Sequence, residues 1–239
     1  MVNLIGMIDG ILVTTIVILS ILIGLLNILK SKAKFQKITG IVIICIGLVM
    51  LGPMLDFFAL LFTNLNIDPW ELIPVLSFIW IAPILVLGIS MGAEAILPDK
   101  KKLLIIISAI LGIIFEIIMF IGVFAENNGV FDTSETWVLG ESLYNLRIVF
   151  EEVLGAAIIV SLIVCLAVIL VINGIGFLQK AGESSGVIKK KFMLISLGWI
   201  AFIVFGVIDS VVDLGNMILI PRLFILLSVL CLYLGTKPS

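Results

Sequence analysis

Five of the ionisable side chains inside hydrophobic runs of this 239-residue chain form the candidate intramembrane cluster and bound the chemistry it can do: Asp56, Glu116, Asp209, Asp213 and Arg222. A charge within a bilayer costs roughly 2.5–3.5 kcal/mol on insertion scales, so each needs a partner, water or a proton. Each is therefore a candidate for handling protons, ions or an ionic ligand. Asp209 and Asp213 are spaced i, i+4 and share one helix face. Arg222 follows after a short turn and can reach either, which lowers the cost of both charges. It reads as a structural clamp or, more sharply, as the residue that meets an anionic ligand in an outer vestibule.

Glu116 is the deepest of the set, flanked by Ile113, Ile114, Ile117 and Ile118. A carboxyl group that changes protonation in mid-membrane is what proton-coupled proteins use; the plainer reading is a protonated acid hydrogen-bonded to a neighbouring helix. Asp56 follows Gly52-Pro53, where the proline frees backbone carbonyls that an ion or water can use, or simply bends the helix. Glu151 and Glu152 stand at the outer boundary of the fifth hydrophobic run.

Other chemistries are excluded or unsupported. The chain has no histidine, which removes histidine-ligated haem and the common histidine-bearing zinc sites. Cys45, Cys165 and Cys231 all sit in apolar runs without a partner at metal-ligand spacing and act as small hydrophobes. No metal, cofactor or nucleic-acid partner is expected, and with no nucleophile–base pair visible, neither is an enzyme.

The elements that carry these residues follow from composition. With 62% hydrophobic residues, 13% charged residues and a mean hydropathy of +1.39, the chain exceeds what a water-soluble core can hide. A hydrocarbon core of about 30 Å is crossed by roughly 20 helical residues. Runs at about 8–29, 38–63, 72–97, 103–125, 148–178, 192–214 and 216–235 meet that length, predicting one all-α, seven-helix membrane domain over 1–239. Continuous rather than alternating hydrophobicity favours helices over a barrel. Six spans with one re-entrant segment in the last pair is the alternative; Lys237 at the end of the chain favours seven.

Lysines set the expected orientation. Lys30, Lys32, Lys34 and Lys37 follow the first span, Lys100, Lys101 and Lys102 the third, and Lys180, Lys189, Lys190 and Lys191 the fifth. The alternate links carry Asp68, Glu71, Glu126, Asp132, Glu135 and Glu141, with Arg147 the only basic residue near them. Because basic links stay cytoplasmic, the chain is expected in the cell membrane with its amino end outside and its carboxyl end inside. No basic region precedes the first run, so it reads as a retained helix and not a signal peptide.

Smaller features complete the reading. Leu72-Ile-Pro-Val-Leu76 and Leu219-Ile-Pro-Arg-Leu223, each followed at equal offset by Gly88 and Gly235, are compatible with a parallel 3+1+3 repeat with span four as linker. Asp132-Thr-Ser-Glu135 resembles a capping box, and Leu139, Leu143, Leu146 and Phe150 follow at helical spacing, predicting an amphipathic helix on the membrane or over the bundle mouth. Glu94 is expected at the membrane interface close to Lys100–Lys102, in a structural role. Gly88-Ile-Ser-Met-Gly92 permits close helix approach, more in keeping with internal packing than with a dimer face.

The layout resembles rhodopsins and other heptahelical receptors in outline. Retinal proteins attach their chromophore to a lysine in the last helix; here every lysine lies in a cytoplasmic segment and span seven carries Arg222, which excludes that attachment. The 3+1+3 arrangement is similar to small sugar transporters with a proline-glutamine motif, but spans one and five contain no proline. Architecture alone does not give function. Two readings stand. One is a receptor-like or sensory module with an outward-facing polar pocket walled by spans two, four, six and seven, taking a small ligand or ion from outside and signalling to a cytoplasmic or membrane partner. The other is a small proton- or cation-coupled transporter or channel; a structural subunit of a membrane complex is a third option. The nearly apolar inner half favours the first.

Overall fold

The computed structural model describes residues 4–124, 131–132, 147–148, 153–212 and 214–237. They form α1 (Leu4–Lys30), α2 (Lys34–Leu48), α3 (Leu51–Thr63), α4 (Leu72–Phe78), α5 (Ile81–Ile96), α6 (Lys101–Phe124), α7 (Val153–Ile169), α8 (Gly176–Gly182), α9 (Gly186–Val211) and α10 (Leu219–Thr236). A π-turn over Leu170–Ile175 joins α7 to α8 as one continuous span. Among the described residues six helices are long and apolar enough to cross a membrane, or seven if the bent pair α2–α3 is one span. The chain is thus a helical, multi-pass membrane protein whose exposed apolar faces meet lipid.

Two of the helix breaks have the same cause. Proline has no N–H to donate and its ring crowds the carbonyl four residues earlier. Pro53 does this to Val49, where α2 gives way to α3 with a 44° bend. Pro83 does it to Ile79, where α4 gives way to α5. Pro74 and Pro221, by contrast, are the third residues of α4 and α10, where a missing amide hydrogen costs little.

Close packing comes from small residues. A Cβ on Gly24 would lie 2.5 Å from the Gly40 carbonyl oxygen, and one on Gly40 2.6 Å from that of Gly24, so α1 and α2 touch backbone to backbone. The buried face of α1 repeats through Asp9, Val13, Ile16, Ser20, Ile23 and Asn27 at helical spacing. The helix α6 is peripheral: 22% of its apolar window is buried, against 50% for Leu72–Ile96 and Leu219–Thr236.

The bundle has a lysine end, holding the α1–α2, α5–α6 and α8–α9 links, and an opposite, acid end, holding the 64–71 link and the start of α7. At the acid end Phe131–Asp132 pairs antiparallel with Arg147–Ile148. The amphipathic helix expected up to Phe150 falls mainly outside the described residues. Its last turn is corrected, because Arg147–Ile148 is extended and satisfies its backbone across the ladder. Ile148, the expected first residue of the fifth span, is thus in the ladder and not in a helix, and the described helix there is α7 from Val153.

Candidate functional site

Arg222 sits in the first turns of α10 and is 3% exposed. A guanidinium at such a position needs several acceptors, and it finds them on two other helices. Its Nε donates to Asp209 Oδ1 of α9 at 3.1 Å, and its Nη1 donates to Asp9 Oδ2 of α1. The short α9–α10 link brings Asp209 into reach, whereas Asp9 comes from the opposite end of the sequence. Asp9 is itself 4% exposed, and its second oxygen, Oδ1, has no hydrogen-bond partner. One arginine and two carboxylates therefore tie α1, α9 and α10 together away from water, where removing the arginine strands both carboxylates. Asp213, Glu151 and Glu152 lie outside the described residues.

Beside this cluster is a cavity of ≈ 40 Å³, walled by Pro53, Pro74, Ser77, Asp209, Ser210 and Arg222 among others. That volume holds about three waters. Both the α2–α3 break and the start of α4 border it. Ser77, 9% exposed, lines the cavity with a hydroxyl that has no hydrogen-bond partner. Gly52 lets α3 approach α4 here: an added Cβ would lie 2.3 Å from the Ile73 carbonyl oxygen and 2.6 Å from Ser77 Oγ.

The walls come from the α2–α3 break, α4, α9 and α10, so the fourth expected span is not among them. Span four is α6, and it packs instead on α5 and α7; Gly112 there rests against Ala82, to whose side chain an added Cβ would come within 2.9 Å. Glu116 is accordingly remote from the Arg222 cluster. Both its carboxyl oxygens are buried and complete no hydrogen bond, although the Ala82 backbone near the α4–α5 break is close enough to act on them electrostatically.

Asp56 is also outside the cluster. It is fully buried and accepts hydrogen bonds from the Ile67 backbone N–H and from Asn66 Nδ2, the latter at 3.3 Å. Both oxygens are thus committed to the 64–71 link. Glu94 pairs with Lys101 Nζ at 2.7 Å on the exposed lysine end.

Sequence reasoning missed a second polar region. Asn173 in the π-turn is fully buried, and neither its Oδ1 nor its Nδ2 has a hydrogen-bond partner. Gly88 and Gly92 make room for it: an added Cβ would lie 3.2 Å from Nδ2 at the first and 1.9 Å from Oδ1 at the second. The GxxxG of α5 is therefore internal packing. The π-turn leaves the Gly174 carbonyl free to accept from Ser196 Oγ of α9 at 2.6 Å. Nearer the lysine end, Asn27 Nδ2 donates to Thr236 Oγ1 at 3.3 Å and Gln36 Nε2 to the Thr236 carbonyl at 2.9 Å. The lysine-end half has buried polar groups after all, but among the described residues they are uncharged. An asparagine inside so apolar a run is the sequence signal that could have drawn attention to this region.

Fold and site together define a multi-pass helical membrane protein with a buried ionic cluster at one end. No protein-family model matches the chain, and no curated protein or solved structure matches it.

Proposed function

We propose that the chain is a receptor-like or sensory membrane module, in which the Asp9–Arg222–Asp209 cluster and its adjoining cavity form the outward-facing site. In this reading it spans the membrane seven times with the amino end outside, because the lysine-rich links gather at one end. A small polar or ionic ligand entering from outside competes for Arg222 or its carboxylates and changes how α1, α9 and α10 are held. The signal passes to a separate cytoplasmic or membrane partner, and the chain itself does no covalent chemistry. The observation that carries the proposal is that an ion cluster joining three helices borders a small cavity with an unpartnered, buried Ser77 hydroxyl. Support also comes from the filled core toward the lysine end, where Ile84, Leu85, Ile89, Phe177 and Trp199 are all 0% exposed. A dead-end site suits sensing better than passage.

The 3+1+3 layout enters as the origin of the site. Both halves contribute a helix with proline at its third residue to the cavity wall, although α9 is unbroken where α2–α3 bends.

Transport is the second reading, favoured by Glu116 with both oxygens unpaired. Proton and ion flux in sealed liposomes separates the two, measured for the native chain, Glu116→Gln and Asp56→Asn. Spin-label distances between the lysine ends of α1 and α9, with and without Asp209→Asn, are taken alongside. The expected result is no flux in any form and a changed distance in Asp209→Asn. Flux in the native protein that Glu116→Gln abolishes would overturn the receptor reading in favour of a transporter.

A further inference from the structure

A groove of ≈ 410 Å³ runs along the lysine-end half of α9, walled by Leu178 of α8 and by Lys190, Met193, Leu194, Leu197 and Ile200 of α9. This volume falls within the range of roughly 300–1,000 Å³ typical of small-molecule sites. The α9 residues recur at i, i+3, i+4, i+7 and i+10, so they form one stripe on one helix face. From Lys190 to Ile200 the stripe rises about 15 Å at 1.5 Å per residue, which is half of the roughly 30 Å hydrocarbon core and so the depth of a single leaflet. Ser196 also lines the groove, but its hydroxyl is satisfied by the Gly174 carbonyl and offers nothing to a polar ligand.

The only charge on the walls is Lys190, at the lysine-end mouth. Two nearby lysines are engaged: Lys180 pairs with Glu183 at 2.9 Å, and Lys191 Nζ donates to the Lys237 carbonyl at 2.9 Å, while Lys189 does not line the groove. Among the described residues Lys190 has no ion-pair partner, and it stands in the first turns of α9, whose terminal N–H groups also favour an anion. An apolar slot one leaflet deep, capped at the headgroup level by an unpaired cation, has the chemistry of an amphiphile with an anionic head.

We propose that this groove binds one acyl chain of an anionic phospholipid, with the phosphate held at Lys190. Basic pockets between membrane helices recognise such headgroups. The bound lipid would brace α8 against α9 just beside the π-turn that carries Asn173. The assignment does not depend on the ligand reading of the Arg222 cluster.

Native mass spectrometry of the full chain in detergent tests it, titrating phosphatidylglycerol and phosphatidylcholine of identical acyl chains. One phosphatidylglycerol is expected to be retained in preference to phosphatidylcholine. Lys190→Gln should reduce its retention about fivefold, from the roughly 1 kcal/mol that a lysine contributes at an anionic surface, while Lys190→Arg keeps it. Leu197→Trp, at a side chain 53% exposed and so tolerant of change, should fill the groove and reduce retention of both lipids. Lys102→Gln, an exposed lysine on another link, should leave retention unchanged. Equal losses in Lys190→Gln and Lys102→Gln would overturn the site in favour of diffuse charge. Equal retention of the two lipids would remove the headgroup contact, and a dimer that forms in place of lipid binding would give the groove to a second copy of the chain.

Discussion

The two ends of the bundle solve the problem of buried polarity in opposite ways. At the acid end the helices are opened: Pro53 bends α2–α3 by 44°, and the space beside the bend is bordered by charges that satisfy one another. At the lysine end they are closed, with glycines at 24, 40, 88 and 92 bringing backbones or side chains into direct contact and Phe35, Phe177 and Phe192 packing ring against ring at 6.3 and 5.8 Å. The polar groups trapped there, Asn173 above all, are neutral. Charge is kept where proline leaves room for water, and neutral polarity where glycine removes it. The physical reason is desolvation: an ion stripped of water needs counter-charges and hydration, whereas an amide can be accommodated at lower cost.

The strongest way to break this contrast is to unbalance the ionic end. Arg222→Leu would leave Asp9 and Asp209 buried without their cation, at a cost of about 3–5 kcal/mol. Thermal unfolding in detergent should show a large fall in midpoint. The triple change Asp9→Asn, Asp209→Asn, Arg222→Met removes the three described charges together and should recover most of that loss. If the triple variant is as unstable as Arg222→Leu, the cluster is not held together by charge compensation.

At the closed end the expected effect is smaller and steric in origin. Gly92→Ala places a methyl group 1.9 Å from Asn173 Oδ1 and 2.8 Å from Ile172 Cγ2, so one side chain must move. Overpacking of this kind costs about 1–3 kcal/mol. Asn173→Ala should relieve it, giving a coupling in the double-mutant cycle of opposite sign to the single losses. Independent, additive effects would show that α5 and the π-turn do not interlock.

How much of this was legible in the sequence follows from which forces act locally. Bilayer thickness imposes run length, so the spans can be located from hydropathy alone, and six of the described helices reach that length. The short link before α10 likewise points Arg222 toward Asp209. Asp9 was not legible as its second partner, because 213 residues separate them and hydropathy holds no record of which helices are neighbours. The same gap explains Glu116: its depth is readable from the sequence, but not that α6 lies at the periphery and away from the cavity. The break at Ile79–Trp80 was legible in principle, since Pro83 stands four residues on, as Pro53 does from Val49. Asp56 looked like an ion site because of that proline, yet its oxygens close the 64–71 link through groups that are visible only once the chain has folded back.

The finest distinction between the two ends is whether the bend is what holds the cavity open. Pro53→Ala restores an N–H that can reach the Val49 carbonyl, and alanine is the best helix former, so the α2–α3 segment gains a reason to straighten. Straightening would carry α3 toward α4, where Gly52 already lies against the Ile73 carbonyl and Ser77. These opposing effects should leave stability changed by no more than about 1 kcal/mol. The informative readout is therefore geometric: spin labels on the exposed positions Ile41 of α2 and Phe62 of α3 report the bend directly. A longer Ile41–Phe62 distance in Pro53→Ala, with slower labelling of a cysteine introduced at Ser77, would mean that the proline opens the site. An unchanged distance would mean that the Asp56 bonds to Asn66 and Ile67 hold the bend by themselves, and Asp56→Asn combined with Pro53→Ala should then lengthen it.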